Sequence, residues 1–245
     1  MGEVVSVISG KGGTGKTSIC AALASCLAAD GARVLCIDTD IGLRNLDIAL
    51  GMSRLPIVSF TDVLNGYYSL EDATTHATLH GLSLFTAPVR DIGAAIEPSA
   101  FGKLLTQVRK EYDWCFIDAA AGIGDSFRLA TQYADNNILV STPDPASLRD
   151  AGRVAELLSL AGKNHVQLIV NRVQPKLFTR MDLTVDDIMD DVGLPLLGLV
   201  PEDTQVVLAA ANGKALILHA DDGAALACLR ISRRLRGQHV PLTKL

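Results

Sequence analysis

The sequence predicts an α/β protein: a single domain built on a mostly parallel, doubly wound sheet flanked by helices. Three observations carry that prediction. Short β-branched runs alternate with longer helical patterns along the 245 residues, the mark of strand–helix–strand units. Apolar residues make up 49% of the chain but aromatics only 4%. The core must therefore be built from Val, Ile, Leu and Ala, as in sheets covered on both faces. No repeat, low-complexity segment or linker interrupts the pattern, and the length suits one domain. We expect that domain over residues 1–237, with a short tail at 238–245.

In chain order, "EVVSVIS" (3–9) reads as a buried strand and residues 15–29 as the helix after it. "RVLCID" (33–38), "LSLFTAP" (82–88), "DWCFID" (113–118) and "NNILVST" (136–142) read as further strands. "VQLIVNRV" (166–173) and "LLGLVP" (196–201) complete the set. Each is a short apolar run bounded by turn residues. Helical patterns lie near 98–112, 124–134, 145–162, 181–192, 203–212 and 221–236. In the last of these, Ala225, Cys228, Ile231 and Leu235 fall on one stripe, the pattern of a core-facing helix.

Charge and cysteine usage exclude several function classes. With 22 basic and 27 acidic residues, the net charge is −5, so bulk attraction to nucleic acid is not expected. The basic cluster "RISRRLRG" (230–237) reads as the charged last turn of a helix. Cys20, Cys26, Cys36, Cys115 and Cys228 are scattered through apolar runs without a CxxC pair. They read as reduced core residues of a cytoplasmic protein. The five histidines have no ligand-like spacing. No signal peptide or membrane-length apolar stretch is apparent.

Chemistry enters at "SGKGGTGKTS" (9–18). Gly10, Gly15, Lys16 and Thr17 satisfy G-x-x-x-x-G-K-[ST] between a strand and a helix, the context a phosphate-binding loop requires. Its glycines, Gly12, Gly13 and Gly15, let backbone N–H groups turn inward, and the helix N-terminus adds its positive end. Lys16 should reach the β- and γ-phosphates of a nucleotide, and the Thr17 hydroxyl should bind Mg²⁺. The loop makes the domain a P-loop NTPase. Asp38 and Asp40 end the second strand, where a parallel sheet presents residues to a ligand. If the strand geometry persists, both point the same way. One can hold a Mg²⁺-bound water and the other can orient the attacking water. Asp118 ends another strand before the small-residue loop "AAAGIGD", which resembles a Walker B aspartate and a switch loop.

Taken together, these motifs resemble the MinD/ParA group of deviant Walker A ATPases, and "DTDIGLRNLDIALG" (38–51) resembles its MinD-like branch. "KGGTGKT", "FIDAAAGIG", "SLRDAGR" (147–153), "IVNRV" (169–173) and "LVPED" (199–203) follow in the family's order and spacing. The resemblance implies ATP and ADP as ligands, with Mg²⁺, and an ATP-dependent homodimer. It implies that Gly12, Gly13, Thr14, Gly15, Lys16, Thr17 and Ser18 hold the phosphates. Lys11 is then the signature lysine, acting on the other subunit's nucleotide. Asp40 orients the hydrolytic water, Asp38 belongs to the first switch loop, and Thr17, Asp38 and Asp118 lie at the metal. Asn171 recognises the adenine, beside Arg172 and the segment Pro201, Glu202 and Asp203. Asp150 lies near the dimer interface and a partner-binding face.

The resemblance also implies a switch that positions partner proteins, including a regulatory or inhibitor protein, in division-site selection. A segregation ATPase of the ParA type, a flagellar-number regulator and a biosynthetic or iron–sulfur relative share the fold. Net charge disfavours the first of these, and the cysteine pattern disfavours the last. Three departures stand out. MinD-type switch loops usually read like "DSPAGIE", whereas Ala119 and Ala120 here replace a hydroxyl and a proline. Thr39 sits between the two acidic residues, where little effect is expected. Finally, family members end in a basic amphipathic helix that enters membrane, whereas "QHVPLTKL" (238–245) is too short and is interrupted by Pro241. Membrane attachment is therefore expected through a partner, if at all.

Overall fold

A computed structural model describes residues 1–88 and 96–242 of the chain. It begins with β1 (Glu3–Ile8), α1 (Lys16–Ala29) and β2 (Val34–Asp38), then two short helices, α2 (Leu46–Ala49) and α3 (Phe60–Leu64). Next come β3 (Thr74–Thr75), β4 (Leu82–Phe85), α4 (Pro98–Glu111), β5 (Trp114–Asp118) and α5 (Asp125–Gln132). After them run β6 (Asn136–Ser141), α6 (Pro145–Leu160), β7 (Val166–Val173), α7 (Pro175–Met181) and α8 (Val185–Val192). The chain closes with β8 (Leu196–Pro201), α9 (Thr204–Ala211) and α10 (Gly223–Leu235).

The eight strands form one sheet in the order β3-β4-β2-β5-β1-β6-β7-β8. Every pairing is parallel except β3 with β4 at the edge. The expected doubly wound α/β domain is therefore observed. Strand alternation divides the core in two. Val5, Val7, Val34, Cys36 and Phe116 face a cluster with α1 and α10. Val4, Ile8, Leu35, Ile37 and Ile117 face a second cluster with α4, α5 and α6. Both faces are buried, which is why the strands read as mostly apolar runs. All five cysteines are free and buried, as expected.

Three features differ from the sequence expectation. The helix predicted over 181–192 begins only at Val185, and a separate, unpredicted helix α7 precedes it and ends where Asp182 turns left-handed at φ 49°. Thr184 then opens α8 with a capping box to Asp187. The short α2, α3 and β3 were not expected, since four, five and two residues show no periodicity. Strand β4 stops at Phe85, short of the predicted end at 88. The α10 stripe is core, as expected. Ala225, Cys228 and Ile231 are buried, and Ile231 lies where a side chain at Gly198 would have to be. Of the expected tail, residues 243–245 lie outside the described residues. No described helix is long and apolar enough to cross a membrane.

Candidate active site

The carboxyl ends of β1, β2 and β5 converge on one cleft, the position at which open parallel sheets bind ligands. Strand β1 delivers the loop 9–15 into the start of α1. Gly13 and Gly15 both adopt φ 84°, a conformation a side chain would strain. Gly15 caps α1 without a side-chain hydrogen bond, and the first turn carries no acid. The first-turn N–H groups are thus open to an anion. No neighbouring atom comes within 4 Å of a side-chain carbon built at Gly12 or Gly13, and Thr14 Oγ1 is buried without a partner. A cradle of open backbone donors beside an unpaired hydroxyl fits a polyphosphate.

Lys16 is buried at the centre. Its Nζ lies 2.5 Å from Asp118 Oδ1 and 3.4 Å from Thr17 Oγ1. Burial pushes the Asp118 carboxyl up, and the charge of Lys16 pulls it back. Without phosphate, Asp118 is the anion that makes the buried ammonium tolerable. Thr17 and Asp118 are hard oxygen donors side by side, which suits Mg²⁺. Among the described residues, no group of three His, Cys, Asp or Glu could hold a metal alone. An ion here would depend on phosphate oxygens and water, as Mg²⁺ sites commonly do.

The two acids after β2 have different environments. Strand β2 ends at Asp38, so the period of two does not carry on to Asp40. Asp38 is 1% exposed. Its two oxygens accept from the backbone N–H groups of Asp40 at 2.9 Å and Leu46 at 3.2 Å. It therefore braces the loop 39–46 rather than facing the cleft. Burial and the nearby Asp118 push its carboxyl up to about 7. Asp40 does line the cleft, with Lys16, Thr17 and Leu43. Burial raises its carboxyl and Lys16 opposes the rise.

Lys11 stands apart from Lys16. Its Nζ donates to Asp144 Oδ1 at 3.2 Å, and the two side chains are 40% and 48% exposed. Asp144 also caps α6 through Ser147 N and accepts from Thr142 Oγ1. Asp150, further along α6, has its backbone against Gly10, where a side-chain carbon would come within 2.9 Å of the Asp150 carbonyl. An adjoining recess is lined by Gly15, Ser18, Asn171, Arg172 and the segment Pro201, Glu202 and Asp203. Asn171 Nδ2 donates to Thr14 O at 2.8 Å, which leaves its oxygen for a ligand. Arg172 adopts φ 57° at an irregular step of the β7–β8 pairing. Strained backbone of this kind concentrates at functional sites. Asp203 is committed elsewhere: one oxygen accepts from Gln205 N and the other from Ala224 N, fastening α9 to α10.

The structure thus gathers the predicted residues, with Asp38 and Asp203 set in bracing positions. Sequence reasoning passed over Asp144 and Ser126 and set Thr39 aside. Asp144 carried a signal, because Asp before Pro is a helix-start pattern. Ser126 carried none. Thr39, expected to matter little, is 1% exposed and takes part in four hydrogen bonds.

Fold and cleft together define a P-loop nucleotide-binding protein with a second lysine in the loop. The family described as the CobQ/CobB/MinD/ParA nucleotide binding domain matches residues 5–217. The chain belongs to that family, as a MinD-like member. It is similar to the septum site-determining protein MinD of Bacillus subtilis (strain 168), at 34% identity over 246 residues covering 99% of this chain and 92% of the relative. Its fold is similar to the solved MinC:MinD cell division protein complex of Aquifex aeolicus, with TM-score 0.91 and 34% identity over 99% of this chain and 98% of that one. The septum site-determining protein MinD of Pyrococcus horikoshii OT3, solved with Mg-ADP, gives TM-score 0.83 and 28% identity over 96% of each chain.

Proposed function

We propose that this protein is an ATP-gated switch: two copies dimerise around ATP, hydrolyse it slowly, and while paired position partner proteins in division-site selection. The observation that carries the reading is the placement of Lys11. It sits in the phosphate loop, yet its ammonium is turned away from the cradle onto exposed Asp144. A pair this exposed contributes little, typically under ~1 kcal/mol, so Lys11 is cheaply released to the nucleotide of a second copy.

The steps follow from this chain's side chains. Phosphate displaces Asp118 from Lys16, and Lys16 then neutralises the transferred group. Mg²⁺, held by the Thr17 hydroxyl and Asp118, would screen phosphate charge and stabilise the leaving group. Asp40, fixed by the brace from Asp38, orients the attacking water. Lys11 of the opposite copy adds charge where the transition state develops it. Hydrolysis removes the charge that holds the two copies together. Asn171 offers its oxygen to the amino group of adenine, beside Arg172, Pro201 and Glu202. The Asp150 face of α6 lies beside the loop and suits an inhibitor protein that reads the paired state. On this reading the protein is cytoplasmic and reaches a membrane through a partner.

Analytical size exclusion with ATP or ADP tests the reading. A doubled mass with ATP and a single copy with ADP are expected. The same mass in both would contradict it.

A further inference from the structure

Three chain segments are tied together beside the cleft by side chains that have no part in the scheme above. Thr39, the residue between Asp38 and Asp40, donates its N–H to Asp118 O at 2.9 Å. Its hydroxyl also reaches Asp118 O at 2.9 Å and lies 3.0 Å from Ser126 Oγ. Ser126 Oγ in turn accepts the N–H of Ala120 at 2.8 Å. The proton directions are fixed. A hydroxyl has one proton, and that of Thr39 goes to the Asp118 carbonyl. Ser126 must then donate to Thr39. The chain runs Ala120 N–H to Ser126, Ser126 to Thr39, and Thr39 to the Asp118 carbonyl. It closes around Ala119, and no hydroxyl is left unsatisfied.

We propose that Ser126 and Thr39 form a clasp between the loop carrying Asp40 and the loop after Asp118, and that both are positioning residues for hydrolysis. Neither side chain reaches the phosphate cradle, but each holds a neighbour that does. Asp40 follows Thr39 directly. The loop after Asp118 is also bound to the phosphate loop, through Gly122 N–H and Ser9 O at 3.0 Å. The clasp therefore fixes the cleft's two acidic arms against each other. It also accounts for Ala120. A proline there would have no N–H to give and would be stiff by itself. Alanine frees a donor and adds backbone freedom, and Ser126 takes up both. The inference rests on the roles proposed above for Asp40 and Asp118.

Steady-state ATP hydrolysis by Thr39→Val, Ser126→Ala and the double variant tests the clasp. Each single change is expected to lower kcat ~10-fold, with KM for ATP within about twofold. The double variant should be no slower than the worse single one, because both cut the same chain. Thr39→Ser keeps the hydroxyl and should recover most of the loss. Should Thr39→Val not fold, Ser126→Ala and Ser126→Gly carry the test alone, since Ser126 is half-buried. Unchanged kcat in the single variants, or losses that multiply in the double one, would overturn the clasp. Asp40→Asn separates the two readings. If it turns over normally while Ser126→Ala is slow, the role of Asp40 fails and the clasp stands. If it is inactive while Ser126→Ala is normal, the clasp alone fails.

Discussion

Lys16 Nζ lies 2.5 Å from Asp118 Oδ1, with the two side chains 7% and 1% exposed. The residue proposed to bind phosphate is thus held by the residue proposed to bind metal. The pair explains how a buried ammonium is tolerated without nucleotide, and it makes Asp118 a competitor for phosphate.

Removing that competitor has opposite effects on stability and on ligand response. Asp118→Asn keeps the volume and removes the charge, leaving a buried cation without its counterion. Stability without nucleotide should fall by about 3 kcal/mol. ADP in chelator should then raise the melting temperature more in the variant than in the wild type, because phosphate meets an unpaired lysine. Differential scanning fluorimetry reads both effects. An equal or smaller shift in the variant would show that Asp118 does not compete.

Asp38 gives the protein a pH dependence. Its carboxyl is pushed from an ordinary 3.8 up to about 7 by burial and by Asp118. The folded state therefore binds this proton more tightly than the unfolded state. The resulting stability is complete below pH ~4 and is lost as pH rises through ~7. Urea midpoints between pH 4.5 and pH 8 should fall with pH in the wild type. Asp38→Asn should flatten that slope. Its baseline should be lower, because an amide nitrogen would face one of the two backbone N–H donors. An unchanged slope would assign the pH dependence to another group.

Asp203 separates a structural role from a binding one. Its oxygens accept from Gln205 N and Ala224 N, both at 2.9 Å, so Asp203→Ala uncaps two helices. A loss of about 2 kcal/mol is expected, with a melting temperature lower by about 5 °C. Binding of a fluorescent ADP analogue should stay within about twofold at 25 °C. A large loss of affinity without loss of stability would return Asp203 to the nucleotide.

How much of this could be read from the sequence depended on whether the signal was local. The phosphate loop was legible because Gly10, Gly15, Lys16 and Thr17 lie within eight residues between a strand and a helix. The strands were legible because burial on both faces leaves mostly apolar runs. By spacing alone Asp38 and Asp40 looked equivalent, and only the end of β2 at Asp38 separates a brace from a cleft residue. The clasp could not be read, since Thr39 and Ser126 are 87 residues apart and Ser126 belongs to no motif. The break at Asp182 was hidden by an acidic helical pattern, although Thr184 and Asp187 spell a capping box.

The central claim is that Lys11 acts on a second copy of the chain. Light scattering of wild type and Lys11→Ala, each with ATP, tests it most directly. The wild type should double in mass, and Lys11→Ala should stay a single copy, with its melting temperature within about 2 °C because the Asp144 pair is exposed. A variant that pairs as fully as the wild type would contradict the account.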